Sequence, residues 1–441
     1  MVVNSGADSS SPDRVYDVLI VGAGAAGLWC AQAIGKADAA RGGDRRSVLV
    51  VEKMPRTGTK VLASGGTRCN VTTTHGPDEA ARLFGSKGER FLRHAFRELS
   101  PQAVRAQFEA WEVAMEEAPL DKIFPASGNA RDVRDALEGA ARAGAEIRLG
   151  SPVLSIDREG DAWAVRTGGG SVARGRALVL AAGGKSYPKI GTTGDGYPWL
   201  RDLGLDVVDP VPALAPLASP EGWVHELTGL AWQGGEAFLE NADGKVLQRR
   251  RRPLLFTHKG VSGPAAMDLS HHVARAAHEQ GGPASGFRLR LDFFPDQTRE
   301  MVRDELVKIA GAPGNPKVQR AMAGLAMGPM ARRMFDAAAT QAGIDPGVTA
   351  GELQKSQRHA LVETFKGLAI QVTHPLGWDQ AEVTAGGLNL KALNPRTMAV
   401  NGHDGLFVIG ELLDVNGPIG GLSFQAAFAT AELAARELTR D

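Results

Sequence analysis

Apolar residues change their spacing several times along the chain, and each change predicts an element boundary. The run YDVLIV at 16–21 is short, apolar and rich in β-branched residues, and it turns on glycines into the alanine-rich stretch AAGLWCAQAIGKA. That pattern predicts a buried strand, a tight turn and a helix. The polar segment ADAARGGDRRS returns the chain to SVLVVEK, a second apolar run ending near Glu52. Strand, helix and strand make one βαβ unit of a doubly wound sheet. Residues 78–115 carry Leu, Phe and Trp at helical spacing, and RDVRDALEGAARAGAEIRL predicts a second amphipathic helix leading into a strand. From Pro152 to Gly184, apolar and polar positions alternate around glycine-rich turns, which predicts an antiparallel meander returning to a buried strand at Ala177–Ala182.

Near Asp206 the character changes. Prolines cluster in DPVPALAPLASPEGW, and strand-like runs follow near Leu230–Glu240, Lys245–Thr257 and Phe287–Phe294. Residues 296–345 then place Ala, Met and Leu at helical spacing, which predicts a small helical subdomain. The first pattern returns in AEVTAGGLNL and GLFVIGELLD, and the amphipathic stretch SFQAAFATAELAARELTR closes the chain. The expected layout is one discontinuous α/β domain, residues 15–205 and 376–441, interrupted by an inserted domain at 206–375. No internal repeat of fixed period is visible.

Composition narrows the function classes. Fifty Lys and Arg offset fifty Asp and Glu among 441 residues, so the chain lacks the positive excess of a protein that wraps nucleic acid. Two cysteines, Cys30 and Cys69, are too few for a disulfide framework or a four-cysteine zinc site, which fits a reducing compartment. No apolar stretch approaches the roughly 18 residues of a membrane helix. The opening residues 1–14 read as a disordered, solvated tail rather than a signal peptide. Cytoplasmic residence without membrane attachment is the expectation. Glycine is the outlier, at 55 residues, about 12% against a usual 7%. That surplus predicts many tight turns or close backbone approaches to a ligand.

Gly22-Ala23-Gly24-Ala25-Ala26-Gly27 matches G-x-G-x-x-G between a predicted strand and a predicted helix. Gly22 permits the turn, Gly24 lets the backbone approach a pyrophosphate, and Gly27 lets helix and strand pack closely. The helix N-terminus offers free N–H groups to the phosphates. Ala26 lies within this loop, and Glu52, followed by Lys53, would accept hydrogen bonds from ribose hydroxyls. Glu52 stands 25 residues after Gly27, slightly beyond the usual interval of about 20, and the ADAARGGDRRS loop accounts for the surplus.

Downstream segments favour FAD over NAD, because a long flavin dinucleotide must also be held at its ring end. The strand ALVLAAGG ends at Ala182 and Gly183. In GLFVIGELLDVNGPIGGLSFQAAF a strand ends at Gly410-Glu411, the chain turns through Asp414, Asn416 and Gly417, and Gly420, Gly421 and Leu422 open the last helix. That helix N-terminus suits the negative charge of a reduced flavin. No second G-x-G-x-x-G follows a strand, so a nicotinamide donor, NADH or NADPH, would bind transiently.

The glycine fingerprint, TKVLASGGTRCNVT at 59–72, LAAGGKSYPKIGTTGDGYPWL, LLFTHKGVSGPAAMDLS and AEVTAGGLNLKALNPRTM, in this order, resemble the BaiN-like, or aminoacetone-oxidase-type, bacterial FAD-binding flavoproteins. The resemblance runs from about Tyr16 to the C-terminus. It implies a Rossmann-like, two-dinucleotide-type FAD domain carrying an inserted β-barrel with a helical subdomain. It also implies flavin-dependent reduction of conjugated double bonds, in steroid-like bile acid intermediates or in a uridine of large-subunit ribosomal RNA. Two departures stand out. Thr67 replaces a third glycine, and DVNGPIGGLSFQAA lacks aromatic residues that the family carries near the flavin.

Candidate chemistry follows from these segments. Lys60, Ser64, Gly65, Gly66, Arg68 and Asn70 would line the cofactor, with Arg68 and Asn70 also able to bind a substrate carbonyl. Val153 is a further cofactor-binding candidate, and Asp195 would contact the ribityl or phosphate side. Cys69 is a redox or acid candidate, with a packed free thiol as its structural alternative. Cys30 reads as core. Tyr187 and Tyr197 fall in KSYPKIGTTGDGYPW, and a phenol can deliver the proton that reduction of a C=C requires; packing of a glycine-rich loop is the equal alternative for both. His258 and Lys259, in the insertion, are expected to face the flavin opposite Arg68 and Asn70, with His258 a catalytic candidate. His271-His272 lacks further ligands at metal spacing, so no metal is expected. Arg249–Arg252 is a possible RNA contact or a solvated face.

The expected function is an FAD-dependent oxidoreductase in which NADH or NADPH reduces the flavin and a small or base-like substrate with an activated C=C accepts the hydride. The alternatives are an RNA uridine reductase, an amine oxidase using oxygen and a non-catalytic FAD-binding module. Oligomeric state is not legible.

Overall fold

The computed structural model describes residues 14–311, 314–325 and 331–440. Of the expected tail at 1–14 only Arg14 is among them, and 312–313 and 326–330 of the expected helical subdomain lie outside. The chain divides into two compact units, Met1–Pro210 with Val383–Asp441, and Val211–Glu382. The junctions follow the positions expected at 205/206 and 375/376 by a few residues, because each falls at a strand, Val207–Ala213 on the way out and Val383–Leu388 on the return.

In the first unit, β1 (Val15–Val21), α1 (Ala25–Arg41) and β2 (Val48–Val51) form the predicted βαβ unit. Residues Ala26–Ile34 of α1 are buried without a polar stripe, as a helix covered on several sides must be. Trp29 lies 4.6 Å from the Phe428 ring of the closing helix Leu422–Leu438, and its indole N–H donates to Glu432 at 2.8 Å. A seven-stranded sheet runs Glu146–Arg148, β2, β1, Val172–Leu180, Ala162–Thr167 and Val153–Glu159, with Leu406–Val408 also paired to Val172–Leu180. The ladders that join β1 to β2, β1 to Val172–Leu180, and Leu406–Val408 to Val172–Leu180 are parallel. The last three strands of that order form the antiparallel meander.

Residues 78–115, read as helical, are divided. The chain forms three helices, Pro77–Arg82, Gly85–Glu98 and Pro101–Ala110, before the strand Met115–Ala118. Gly85 sits at a left-handed φ of 71°, and the Ser100 side chain accepts from the Ala103 N–H to start a new helix whose first residue is Pro101. Both are local stop-and-start signals.

In the second unit the strands pair as two four-stranded antiparallel sheets. One orders Leu217–Ala218, Gly260–Ser262, Leu254–Thr257 and Ala231–Trp232; the other orders Val246–Arg250, Glu236–Glu240, Arg288–Asp292 and Leu368–Gln371. Helices Arg299–Ala310, Val318–Leu325 and Arg332–Gln341 occupy the expected helical stretch, and Lys355–Phe365 adds a fourth beyond it. Phe365 joins helices to sheet, with its ring near those of Phe293, Phe294 and Phe335. Beneath it the buried Lys366 ammonium pairs with Asp292 at 2.7 Å and donates to the Phe294 and Gln297 carbonyls.

His271, in the same unit, is half-buried against His272, at 4.0 Å between ring centres. Burial, then the neighbouring His272, holds its pKa down to about 3 from 6.5. The folded state therefore keeps His271 neutral while the unfolded chain takes up a proton below pH 6.5. Its contribution is complete above that value and is lost as pH falls towards 3, at up to about 1.4 kcal/mol per pH unit. We expect His271→Phe to flatten the fall in urea-unfolding midpoint between pH 7 and 4.5. An equal slope in the variant would remove His271 as the cause.

Candidate active site

Register builds the site. Val21 pairs with Val51 and with Leu180, and Leu180 pairs with Val408, so four parallel strands end level with one another. Ligands in open α/β sheets bind beyond such carboxyl ends. The residues just past this line are Gly22, Glu52, Ala182 with Gly183, and Gly410, as the sequence suggests.

The three glycines of the fingerprint differ in what surrounds them. Gly22 has φ 106°, and a Cβ there would lie 2.5 Å from the Ala181 carbonyl oxygen. A Cβ on Gly27 would lie 1.9 Å from the Gly22 carbonyl oxygen. Gly24 meets nothing within 4 Å, so no protein atom needs it to be small. Two glycines satisfy the fold and the third leaves open space at the start of α1, where a pyrophosphate would sit. The fold at this point fits a dinucleotide.

Glu52 accepts from the Ala23 N–H at 2.7 Å through one oxygen and from the Met54 N–H at 2.8 Å through the other. Each oxygen retains acceptor capacity for a ribose hydroxyl. Glu52→Ala should remove charge-assisted bonds of about 1.5–3 kcal/mol and weaken FAD by roughly one to two decades. Titration of apoprotein with FAD measures this, and unchanged affinity would remove Glu52 from the site. Lys53 donates to Thr193 at 2.6 Å and pairs with Asp195, so the Asp195 carboxylate is already engaged by a neighbouring cation. Val153 lies two residues beyond Ser151, whose N–H donates to the Glu52 carbonyl at 2.8 Å.

The segment 64–70 is a left-handed loop, with φ of 56° at Gly65, 65° at Gly66, 69° at Thr67 and 61° at Cys69. Thr67 thus adopts a conformation that glycine takes without strain. The Arg68 guanidinium lies 4.5 Å from the centre of the Phe124 ring, Asn70 accepts from the Ile123 N–H at 3.1 Å, and the Ser64 hydroxyl donates to the Val61 carbonyl. Asn70 therefore holds the loop through its carbonyl. For Cys69 the structure agrees with the packed free thiol and not with the redox or acid group. It is 1% exposed, and burial pushes its thiol up to about 12, which leaves it a packed neutral side chain.

Glu411 is the polar centre of the opposite end. Its carboxylate pairs with Lys60 at 2.5 Å and accepts from the Thr384 N–H at 2.8 Å, while Lys60 also donates to the buried Ser186 hydroxyl. Thr384 in turn accepts from the Lys185 N–H at 2.8 Å. Lys60 and Glu411 were legible as candidates; Ser186 and Thr384 were not. Their only sequence signal is their place inside the KSYP and AEVTAGG motifs. Asp414 pairs with Lys87 at 2.5 Å. A Cβ on Gly417 would press on the Phe84 ring, and one on Gly421 would lie 2.2 Å from the Thr72 carbonyl oxygen, which seats the start of the last helix at Leu422.

Of the two tyrosines, Tyr197 is buried at 2% exposure, and its hydroxyl has no hydrogen-bond partner among the described residues. Burial, then Glu411, raises its pKa, so it stays a neutral phenol. Tyr187 is half-buried and sits at φ 56°, ψ 57° directly before Pro188.

In the second unit, His258 and Lys259 form the exposed turn between strands Leu254–Thr257 and Gly260–Ser262. The arginine run nearby is ion-paired throughout. Arg249 meets Glu236 at 2.8 Å, Arg251 meets Asp296 at 2.8 Å, and Arg250 and Arg252 share the fully buried Asp268 carboxylate at 3.3 and 3.2 Å. Its charge is largely compensated within the fold.

A protein-family model described as the HI0933-like protein Rossmann domain matches residues 16–437. The chain belongs to that family. It is an FAD-dependent oxidoreductase built on an FAD-type Rossmann domain. It is 29% identical over 433 residues to a ribosomal RNA dihydrouridine synthase of Escherichia coli, spanning 96% of this chain and 98% of that protein. It is 27% identical over 420 residues to a 3-dehydro-bile acid delta(4,6)-reductase of Clostridium scindens, spanning 95% of this chain and 97% of that one. A ribosomal RNA dihydrouridine synthase of Haemophilus influenzae is 26% identical over 429 residues, at 96% and 98% coverage. Among the described residues no helix is long and apolar enough to cross a membrane.

Proposed function

We propose that the protein is an NAD(P)H-driven reductase that saturates a C=C bond conjugated to a carbonyl in a small or base-like molecule. The observation that carries this reading is the pair of relatives matched over nearly their whole length. One is named for forming dihydrouridine and the other for reducing a bile-acid skeleton, and both names describe addition of hydrogen across a C=C. Bound FAD would supply the hydride chemistry, from the nicotinamide donor to the carbon β to the carbonyl. The open space above Gly24 receives its pyrophosphate, and Glu52 holds its ribose. Tyr187 supplies the proton to the α-carbon. Residence in the cytoplasm is supported by Cys30 and Cys69, both free thiols.

A second reading, a uridine in ribosomal RNA as substrate, is favoured by the two relatives of that name. The paired arginines do not add to it. One experiment separates the readings. The protein is reduced anaerobically with NADH and, separately, NADPH, then mixed with enones, quinones, free uridine or ribosomal RNA. Bleaching by a nicotinamide and reoxidation by an enone or uridine support the first reading, and reoxidation by RNA alone supports the second. Reoxidation only by oxygen, with peroxide formed, would overturn both in favour of an oxidase.

A further inference from the structure

Glu411 and Lys60 were expected to touch the cofactor individually, yet their strongest contacts are with each other. They are 351 residues apart in sequence and lie 2.5 Å apart in space. One Glu411 oxygen takes the Thr384 N–H, and a Cβ on Gly184 would lie 2.9 Å from that same oxygen, so the carboxylate is pressed onto the turn that follows strand Val172–Leu180. The other oxygen takes Lys60. The Lys60 ammonium has three donors; Glu411 and Ser186 occupy two of them. Both side chains are partly shielded, at 24% and 18% exposure, so their charges are screened less than those of a surface pair. The pair therefore joins α2 (Thr59–Ala63), the turn at 184–186, the strand Val383–Leu388 and the end of strand Leu406–Val408.

We propose that Lys60 and Glu411 act as one unit that tunes the flavin, with Lys60 presenting its remaining donor and its charge to the cofactor and Glu411 setting how much of that charge is felt. Glu411 is then a positioning residue acting through Lys60. The inference rests on the FAD reading of this edge. A cation near a flavin favours the negatively charged reduced form, so the two members of the pair have opposite effects on reduction. Neutralising Glu411 exposes the ammonium, and neutralising Lys60 leaves the carboxylate.

The test is the midpoint potential of the bound flavin, measured by anaerobic dye equilibration on wild type, Glu411→Gln, Lys60→Met and the double variant. We expect Glu411→Gln to shift the potential upward, Lys60→Met to shift it downward, and the double variant to return close to wild type. Shifts of the same sign in both single variants, or no shift in either, would overturn the pairing and leave a purely structural staple. Should Glu411→Gln fail to fold, Lys60→Met alone decides, since a potential at or above the wild-type value contradicts the proposal. Wild-type protein that holds no FAD would instead defeat the cofactor reading itself.

Discussion

Replacing Gly24 with valine is expected to strip FAD from a protein that still folds, whereas the same change at Gly27 is expected to unfold it. The two glycines stand three residues apart in one motif, yet a Cβ on Gly24 meets nothing within 4 Å and a Cβ on Gly27 lies 1.9 Å from the Gly22 carbonyl oxygen. The second clash is with backbone, so no rotamer relieves it. Helix α1 would have to lift away from β1, and Ala26, Leu28 and Trp29 would lose their packing. Overpacking costs about 1–3 kcal/mol and more where backbone cannot give way, a large part of the roughly 5–15 kcal/mol that keeps a domain folded. Gly24 has φ −81° and an extended ψ, a conformation valine accepts, and it loses only cap preference, about 1 kcal/mol. Its side chain would fill the space assigned to the pyrophosphate and weaken FAD by at least about two decades. Thermal unfolding of the apoproteins and flavin absorbance of the purified variants measure the two effects separately. Equal loss of stability in both variants would show that Gly24 is a packing glycine and would weaken the assignment of the site.

This contrast also marks what sequence discloses. G-x-G-x-x-G between strand and helix is legible because turn, helix start and close packing are all local, and each is written in neighbouring residues. The division of labour among its glycines is not local. It depends on Ala181, more than 150 positions away, and on the empty space beyond Gly24. The meander at 153–180 was equally legible, since alternation is a local pattern. The stretch at 78–115 reads as helical, but spacing alone does not locate the break at Gly85 or the restart at Ser100-Pro101. Cys69 reads either as a redox or acid group or as a packed thiol from its polar sequence neighbours, and the burial that selects the packed thiol comes from tertiary packing.

Charge shows the same limit more sharply. Four adjacent arginines at 249–252 look like a cationic patch when only the run is seen. Their partners Glu236, Asp268 and Asp296 come from other elements, and Asp268 is wholly buried beneath two of them. A run of one sign predicts a field only when no acid folds back on it. The Lys60–Glu411 pair is the converse case, two separately ordinary residues that become one partly shielded device only once the strands Val172–Leu180 and Leu406–Val408 align.

Tyr187→Phe is expected to slow reoxidation of the reduced enzyme by a conjugated C=C substrate about 10²–10⁴-fold, the range for loss of a positioned proton donor, while leaving reduction by NAD(P)H unchanged. Tyr187 holds φ 56° and ψ 57° immediately before Pro188, although a side chain on Cβ disfavours that region and a following proline favours extended backbone. Such a conformation costs on the order of 1–3 kcal/mol and persists where surrounding structure enforces it. Here the enforcement is local, through the bond from the Ile190 N–H to the Tyr187 carbonyl at 3.1 Å. Phenylalanine keeps the ring and the backbone and removes only the hydroxyl, so folding and flavin content should not change. A quinone supplies the control, because it accepts electrons without forming a C–H bond at carbon and needs no proton placed there. The variant should therefore reoxidise normally with quinone and slowly with the enone. Equal enone rates in wild type and variant would exclude proton delivery from Tyr187.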